Sequence, residues 1–136
     1  MTATVTGPAR NEALACVVLL HAKEKAGMER AHLTMAFQRD RFAQGQRLSV
    51  AALIAAQSTY LHIFSATAPE AGEVALRRAL TSPAAAEVQR MESVVFLDDE
   101  SGFGIDPTTW FRTISRKIDM LGDVSTTVLG SLREPH

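Results

Sequence analysis

The stretch KEKAGMERAHLTMAFQRDRF, Lys23 to Phe42, decides how the chain folds. It holds no proline and a single glycine, Gly27, among residues that mostly favour helix. Apolar side chains recur at alternating steps of three and four through Met28, Ala31, Met35 and Phe42, with Gln38 filling the one polar place. That spacing predicts the seam of a helical bundle. It leaves Arg30 unexplained. Gly27, Arg30 and Thr34 share a face beside the apolar stripe. An arginine there either lies on the surface and pairs with nearby acids, or points inward past a glycine that has no side chain to obstruct it.

Working outward, the same helix reaches back to about Asn11, with Leu14 and Val17 on the seam and the polar His21 and Glu24 in register. About 30 residues make a rod of about 45 Å, a length that suits a bundle or a coiled-coil-like dimer. Residues 1–10 precede the domain as a disordered lead-in, Thr-rich and ending near Gly7-Pro8, and the helical domain occupies 11–133.

Gln44-Gly45-Gln46 ends the first helix, and Ser49 is the expected N-cap of a second, from about Val50 to Ala66. It should bury Leu53, Ala56 or Gln57, Tyr60 or Leu61, and Phe64. Thr67, Pro69 and Glu70 read as cap, first-turn proline and capping box of a third helix carrying Val74 and Leu76 to Leu80. Ser82-Pro83 repeats the signal before Val88, Met91, Val94 and Val95, so two short helices or one helix broken at Pro83 fill this region up to about Leu97. Asp98 to Gly104 is a loop by composition. Asp106-Pro107 opens the last helix, where Phe111, Ile114, Ile118, Leu121, Ser125, Val128 and Leu132 keep strict three-four spacing; Glu134 to His136 fray. No segment alternates as a strand would. The expected fold is all-α, an up-down four-helix bundle with long first and last helices and both termini at one end.

A chain of 136 residues with 46% hydrophobic and only 6% aromatic residues fits one such domain. Its net charge of −1 supplies no field to hold nucleic acid. The single cysteine, Cys16, excludes an intrachain disulfide and a cysteine-based zinc site. Its apolar neighbours predict a packed thiol, with a bond to the same residue of a second chain as the alternative. The longest apolar run, Ala13 to Leu20, is too short to span a bilayer and lacks the flanks of a signal peptide, so the piece is expected to be soluble.

Catalytic motifs are absent: no Gly-rich phosphate loop, no nucleophile elbow, no HExxH. Neither an enzyme nor a cofactor is expected. Glu29 and His32 match the Glu-x-x-His spacing of di-iron bundles, but the other helical histidine, His62, has Thr59 where the second glutamate belongs, so no metal is expected. No carboxylate is placed to orient His21 or His32 for a pair with Cys16. In the last helix Trp110, Thr113 and Lys117 form one strip of ring, hydroxyl and cation. It is either a small polar pocket or a core tryptophan beside a snorkelling lysine. If the first and last helices pack together, Arg30 and Lys117 would converge on a small anion. A planar oxyanion suits the guanidinium fork, and Glu24 and Glu29 are the internal competitors.

These stretches, together with AAQSTYLHIFSATA (55–68) and DPTTWFRTISRKIDMLGDV (106–124), resemble the NIT family, nitrate- and nitrite-sensing domains of bacterial chemoreceptors and sensor kinases. The most telling residues are Lys23, Glu24, Gly27, Glu29 and Arg30 in the first helix, and WF-x-x-I-x-x-KID-x-L from Trp110 to Leu121 in the last. The resemblance implies a helical bundle, usually dimeric, that binds a small ligand and passes a conformational signal along its helices. Its ligand arginine corresponds to Arg30, and a second basic residue to Lys117 or Arg116. The reading is a non-enzymatic sensor domain binding nitrate, nitrite or another small anion through Gly27, Arg30, Thr34, Trp110, Thr113 and Lys117. It would act as a homodimer, in the periplasmic part of a membrane-anchored receptor (a cytoplasmic place being the alternative). The competing reading is a structural dimerisation bundle with no ligand, assembled through the last-helix heptad.

Overall fold

The computed structural model describes residues 7–97 and 101–133. All of its regular structure is helical: α1 Gly7–Arg39, α2 Gln46–Thr67, α3 Glu70–Leu80, α4 Pro83–Val95 and α5 Pro107–Arg133. The all-α expectation holds, but five helices replace the expected four. The break falls where proline dictates it. Pro83 lacks the N–H that would continue α3, and its ring would meet the carbonyl one turn back. Ser82 Oγ instead accepts from Ala85 N at 3.2 Å and starts α4 afresh. The two short helices then pack one after the other along α5.

Other boundaries also move. Helix α1 begins at Gly7, inside the stretch read as a lead-in, and stops at Arg39 rather than Phe42. Helix α2 starts at Gln46, capped by Gly45 in the left-handed region at φ 75°. Ser49 is therefore not a cap; its hydroxyl donates back to Gly45 O at 3.2 Å. Thr67 closes α2 through its bond to Ile63 O at 2.8 Å and does not cap α3. Asp106 does cap α5, accepting from Thr109 N at 2.9 Å. The loop residues 98–100 and the expected fray at 134–136 lie outside the described residues, as do residues 1–6.

The largest correction concerns the seam of α1. Leu14, Val17, Met28 and Met35 are 44%, 51%, 48% and 45% exposed, and Ala31 is exposed too. The buried face is Ala15, Leu19, Ala22, Ala26, Glu29, Leu33 and Ala36, a second three-four series displaced by one or two residues from the expected one. Alanines let α2 and α5 approach α1 closely, so the small residues rather than the larger ones face inward. The core has two parts. At one end Leu19, Phe64, Leu76, Leu121 and Val128 pack together; at the other Leu33, Phe37, Val50, Val88, Met91, Trp110 and Ile114 do. The α5 seam shifts likewise. Trp110, Ile114, Leu121, Val124 and Val128 are buried, while Phe111 is exposed and Ile118 and Ser125 are half-buried.

Helix α2 is long and apolar enough, by length and composition, to cross a membrane, although the sequence shows no continuous run that would. Here Val50, Leu53, Gln57 and Phe64 are buried in the core and Ser58, Thr59, His62 and Ser65 face out. At the far end of the bundle Asp40, itself at φ 58°, ties α1 to the loop before α5. Its Oδ1 accepts from Phe103 N at 2.8 Å and Gly104 N at 3.0 Å. Gly102, at φ 97°, is wrapped so closely by that carboxylate that a Cβ would collide with it. Gly102→Ala is expected to lower the unfolding free energy by about 2 kcal/mol or more, and Asp40→Ala by about 1–2 kcal/mol through its two lost bonds. Urea unfolding checks both. An unchanged midpoint would show that the clasp does not hold the fold.

Candidate functional site

The helical turn around Glu29 and Arg30 places two consecutive side chains on opposite tasks. Successive residues point about 100° apart on a helix, and Glu29 points to the core. It is completely buried. Gln57 Nε2 of α2 donates to its Oε1 at 2.8 Å, while Oε2 is sealed from water and no donor reaches it. Burial, then a hydrogen bond that the protonated Glu29 donates to Glu92 on α4 and the negative charge of that neighbour, push the Glu29 carboxyl up to about 9, against the opposing pull of Gln57 and Lys117.

Arg30 turns instead to α5. Its Nη1 donates to Ser115 Oγ at 3.0 Å, and its guanidinium lies 4.8 Å from the centre of the Phe111 ring. The Arg30 carbonyl accepts from Thr34 Oγ1 at 2.6 Å and from Trp110 Nε1 at 3.2 Å, which pins the helix turn that carries the guanidinium. Among the described residues no carboxylate lies within ion-pair distance of Arg30. A half-buried cation, oriented at two points and lacking a counter-ion, is left with free donors. Beside it an open groove of about 420 Å³ is lined by Thr108, Phe111, Arg112, Ser115, Arg116 and Asp119.

The expected site residues thus separate. Arg30, Thr34 and Trp110 come together through the Arg30 carbonyl. Trp110 is fully buried, however, and the ring presented to the guanidinium is that of its neighbour Phe111. Thr113 donates to Thr109 O at 2.7 Å, within its own helix. Lys117 acts on Glu29 from the inner side, whereas Arg116 lines the groove with Ser115. Of the two expected internal competitors, Glu29 feels the charge of Lys117, and Glu24 lies 3.6 Å from His21. Gly27 stands one turn from Arg30 with open space over it: a Cβ there would meet nothing within 4 Å.

Sequence reasoning missed Ser115 and Phe111 as partners of Arg30, and Gln57 and Glu92 as partners of Glu29. Only Phe111 left a signal, an aromatic in the heptad that the core did not need. His32, weighed as a metal ligand, meets Gln46 Nε2 at 3.3 Å. Among the described residues no three His, Cys, Asp or Glu side chains are grouped to hold a metal ion. Burial and the charge of Glu12 push the Cys16 thiol up, away from its reactive form.

Compared with known families, residues 2–133 match the one described as NIT, nitrate and nitrite sensing. No curated protein and no solved structure matches the chain.

The open space at Gly27 generates a stability prediction. Gly27→Ala should raise the unfolding free energy by about 0.5–1 kcal/mol, because alanine is the better helix former and nothing obstructs its methyl. Urea unfolding measures it. A loss of stability would mean that another chain fills that space in solution.

Proposed function

The chain belongs to the nitrate- and nitrite-sensing NIT family, a family of sensors rather than enzymes, and from this we propose that it binds a small planar anion at Arg30. The observation that carries the reading is the half-buried guanidinium, aimed by Ser115 and Phe111 and without a carboxylate partner among the described residues. An oxyanion placed there would take charge-assisted hydrogen bonds from the free guanidinium N–H groups. The Ser115 hydroxyl, which accepts from Arg30, keeps its own hydrogen to donate. Arg116 and Arg112 on the same groove would add positive charge. Thr34 and Trp110 serve by holding the Arg30 backbone, and Gly27 by leaving room. Thr113 and Lys117 stand one step behind, on the core side of α5. The parent protein on this reading is a membrane-anchored bacterial chemoreceptor or sensor kinase that displays the domain outside the cytoplasm.

The assembly we propose is a homodimer through α1. Leu14, Val17, His21, Glu24, Met28, Ala31 and Met35 hold three-four spacing along the outer side of the helix, which is the periodicity a second copy of the same helix would match. Gly27 and Thr34 border this stripe on the side toward α5, so the groove at Arg30 opens beside the seam. Anion binding would then bias how α1 sits against α5 and against its partner copy, by as much as the ligand prefers one arrangement. The same stripe favours the competing reading, a dimerisation bundle without a ligand, and α1 rather than α5 would be its interface.

A thermal-shift series with nitrate, nitrite and other small anions tests the ligand. An anion at 100 times its dissociation constant should add about 2.7 kcal/mol of stability, a rise of several degrees that Arg30→Ala abolishes. No rise with any anion leaves the dimerisation bundle as the function. Sedimentation tests the assembly. Val17→Glu combined with Met28→Glu should convert a dimer to monomer, and a wild-type chain that sediments as a monomer at all concentrations would sink the α1 interface.

A further inference from the structure

We propose that Glu29 of α1 and Glu92 of α4 form a proton-binding site at the centre of the bundle, where one shared proton clasps the two helices together. Its loss forces them apart, so that the fold responds to pH. The inference stands whether or not an anion binds at Arg30.

Four helices each send one polar side chain to this level: Glu29 from α1, Gln57 from α2, Glu92 from α4 and Lys117 from α5. Glu29 has one oxygen satisfied by Gln57 and the other sealed from water with no N–H or O–H donor in reach. A buried oxygen in that state is costly. Glu92 lies within side-chain hydrogen-bonding reach of Glu29. Two ionised carboxylates have no hydrogen to share and repel each other; one proton between them turns the contact into a short hydrogen bond and removes the repulsion. The charge of Lys117 reaches Glu29 as well and opposes the rise.

The other charged groups nearby are turned elsewhere. On α1, Arg30 faces Ser115 and His32 faces Gln46. From α2 the contact is the uncharged amide of Gln57, which also donates to Leu53 O at 3.2 Å. The backbones of α1 and α4 meet far less than those of α1 and α2 or α5. The carboxyl pair thus lies between two helices that otherwise share the apolar cluster holding Leu33 of α1 and Val88 and Met91 of α4.

The sign of the pH effect follows. Below 4.5, the ordinary glutamate value, folded and unfolded chains both hold the proton. Between 4.5 and about 9 the folded chain keeps it and the unfolded chain does not, so stability falls as pH rises; above about 9 the loss is complete. Asp106 and Glu87 are displaced the other way, below the ordinary carboxylate range, and finish titrating before this window.

Thermal unfolding of the full chain from about pH 5 to pH 9.5 is the test. The wild type should lose about 3 °C or more per pH unit through the window, and Glu29→Gln, which keeps the shape without the proton, should flatten that slope. Glu92→Gln should move the midpoint to lower pH by removing a negative neighbour, and Lys117→Met to higher pH by removing a positive one. Should a variant fail to fold, infrared spectroscopy of the wild type decides. A protonated carboxyl carbonyl band should be present at neutral pH and vanish in alkali. A flat wild-type profile, a slope unchanged in Glu29→Gln, or the absence of that band would overturn the proposal.

Discussion

A carboxyl group without water in the middle of the bundle is the constraint from which the rest of the structure is arranged. Glu29 is enclosed by four helices, and an isolated ionised carboxylate there would cost several kcal/mol. The amide of Gln57 and the charge of Lys117 ease that cost, while the neighbouring carboxyl of Glu92 adds to it and favours the protonated form. Because Glu29 must point inward, helix geometry turns Arg30 by about 100° toward α5 and leaves Met28 and Ala31 on the outside. A core residue thus aims a surface cation.

That cation is held by its backbone as much as by its side chain. The Arg30 carbonyl takes a second hydrogen bond from the indole of Trp110, a ring packed edge-on against Phe37 at 5.5 Å in the core. The turn that carries the guanidinium is therefore tied to the part of the core where Leu33, Val88, Met91 and Ile114 also pack. If Arg30 binds the proposed anion, a group anchored in this way would lose little freedom on binding. Its bonds to Ser115 and Trp110 couple this turn of α1 to α5.

Helix α1 has two three-four patterns displaced by one or two residues, and they divide its two faces. Alanines, Leu33 and Glu29 face α2 and α5. Leu14, Val17, Met28 and Met35 face outward, forming an apolar stripe on the surface of the bundle. The polar places His21 and Glu24 within that stripe interrupt it, as polar seam positions do when they set register at a cost in stability. His21 stacks on Tyr60 of α2 at 5.2 Å and lies 3.6 Å from Glu24, so even this break is anchored to the bundle.

Local chemistry, read residue by residue, was sufficient for the helical class and the principal breaks: Pro83 stops one helix, Asp106 caps another, and Gly45 separates the first two. The motif from Lys23 to Arg30 was likewise sufficient to indicate the family, since helix motifs are written at fixed short spacings. Which face of α1 turns inward was not legible, because two patterns of equal period compete and only the fit of neighbouring helices prefers alanine over methionine. Nor was the partner of Arg30. Ser115 lies 85 residues away, and its nearness depends on how α5 is rotated against α1. The same holds for Glu29 and Glu92. Spacing along one helix states which residues share a face, but the meeting of side chains across helices is set by packing, and packing decided where the charges of this protein lie.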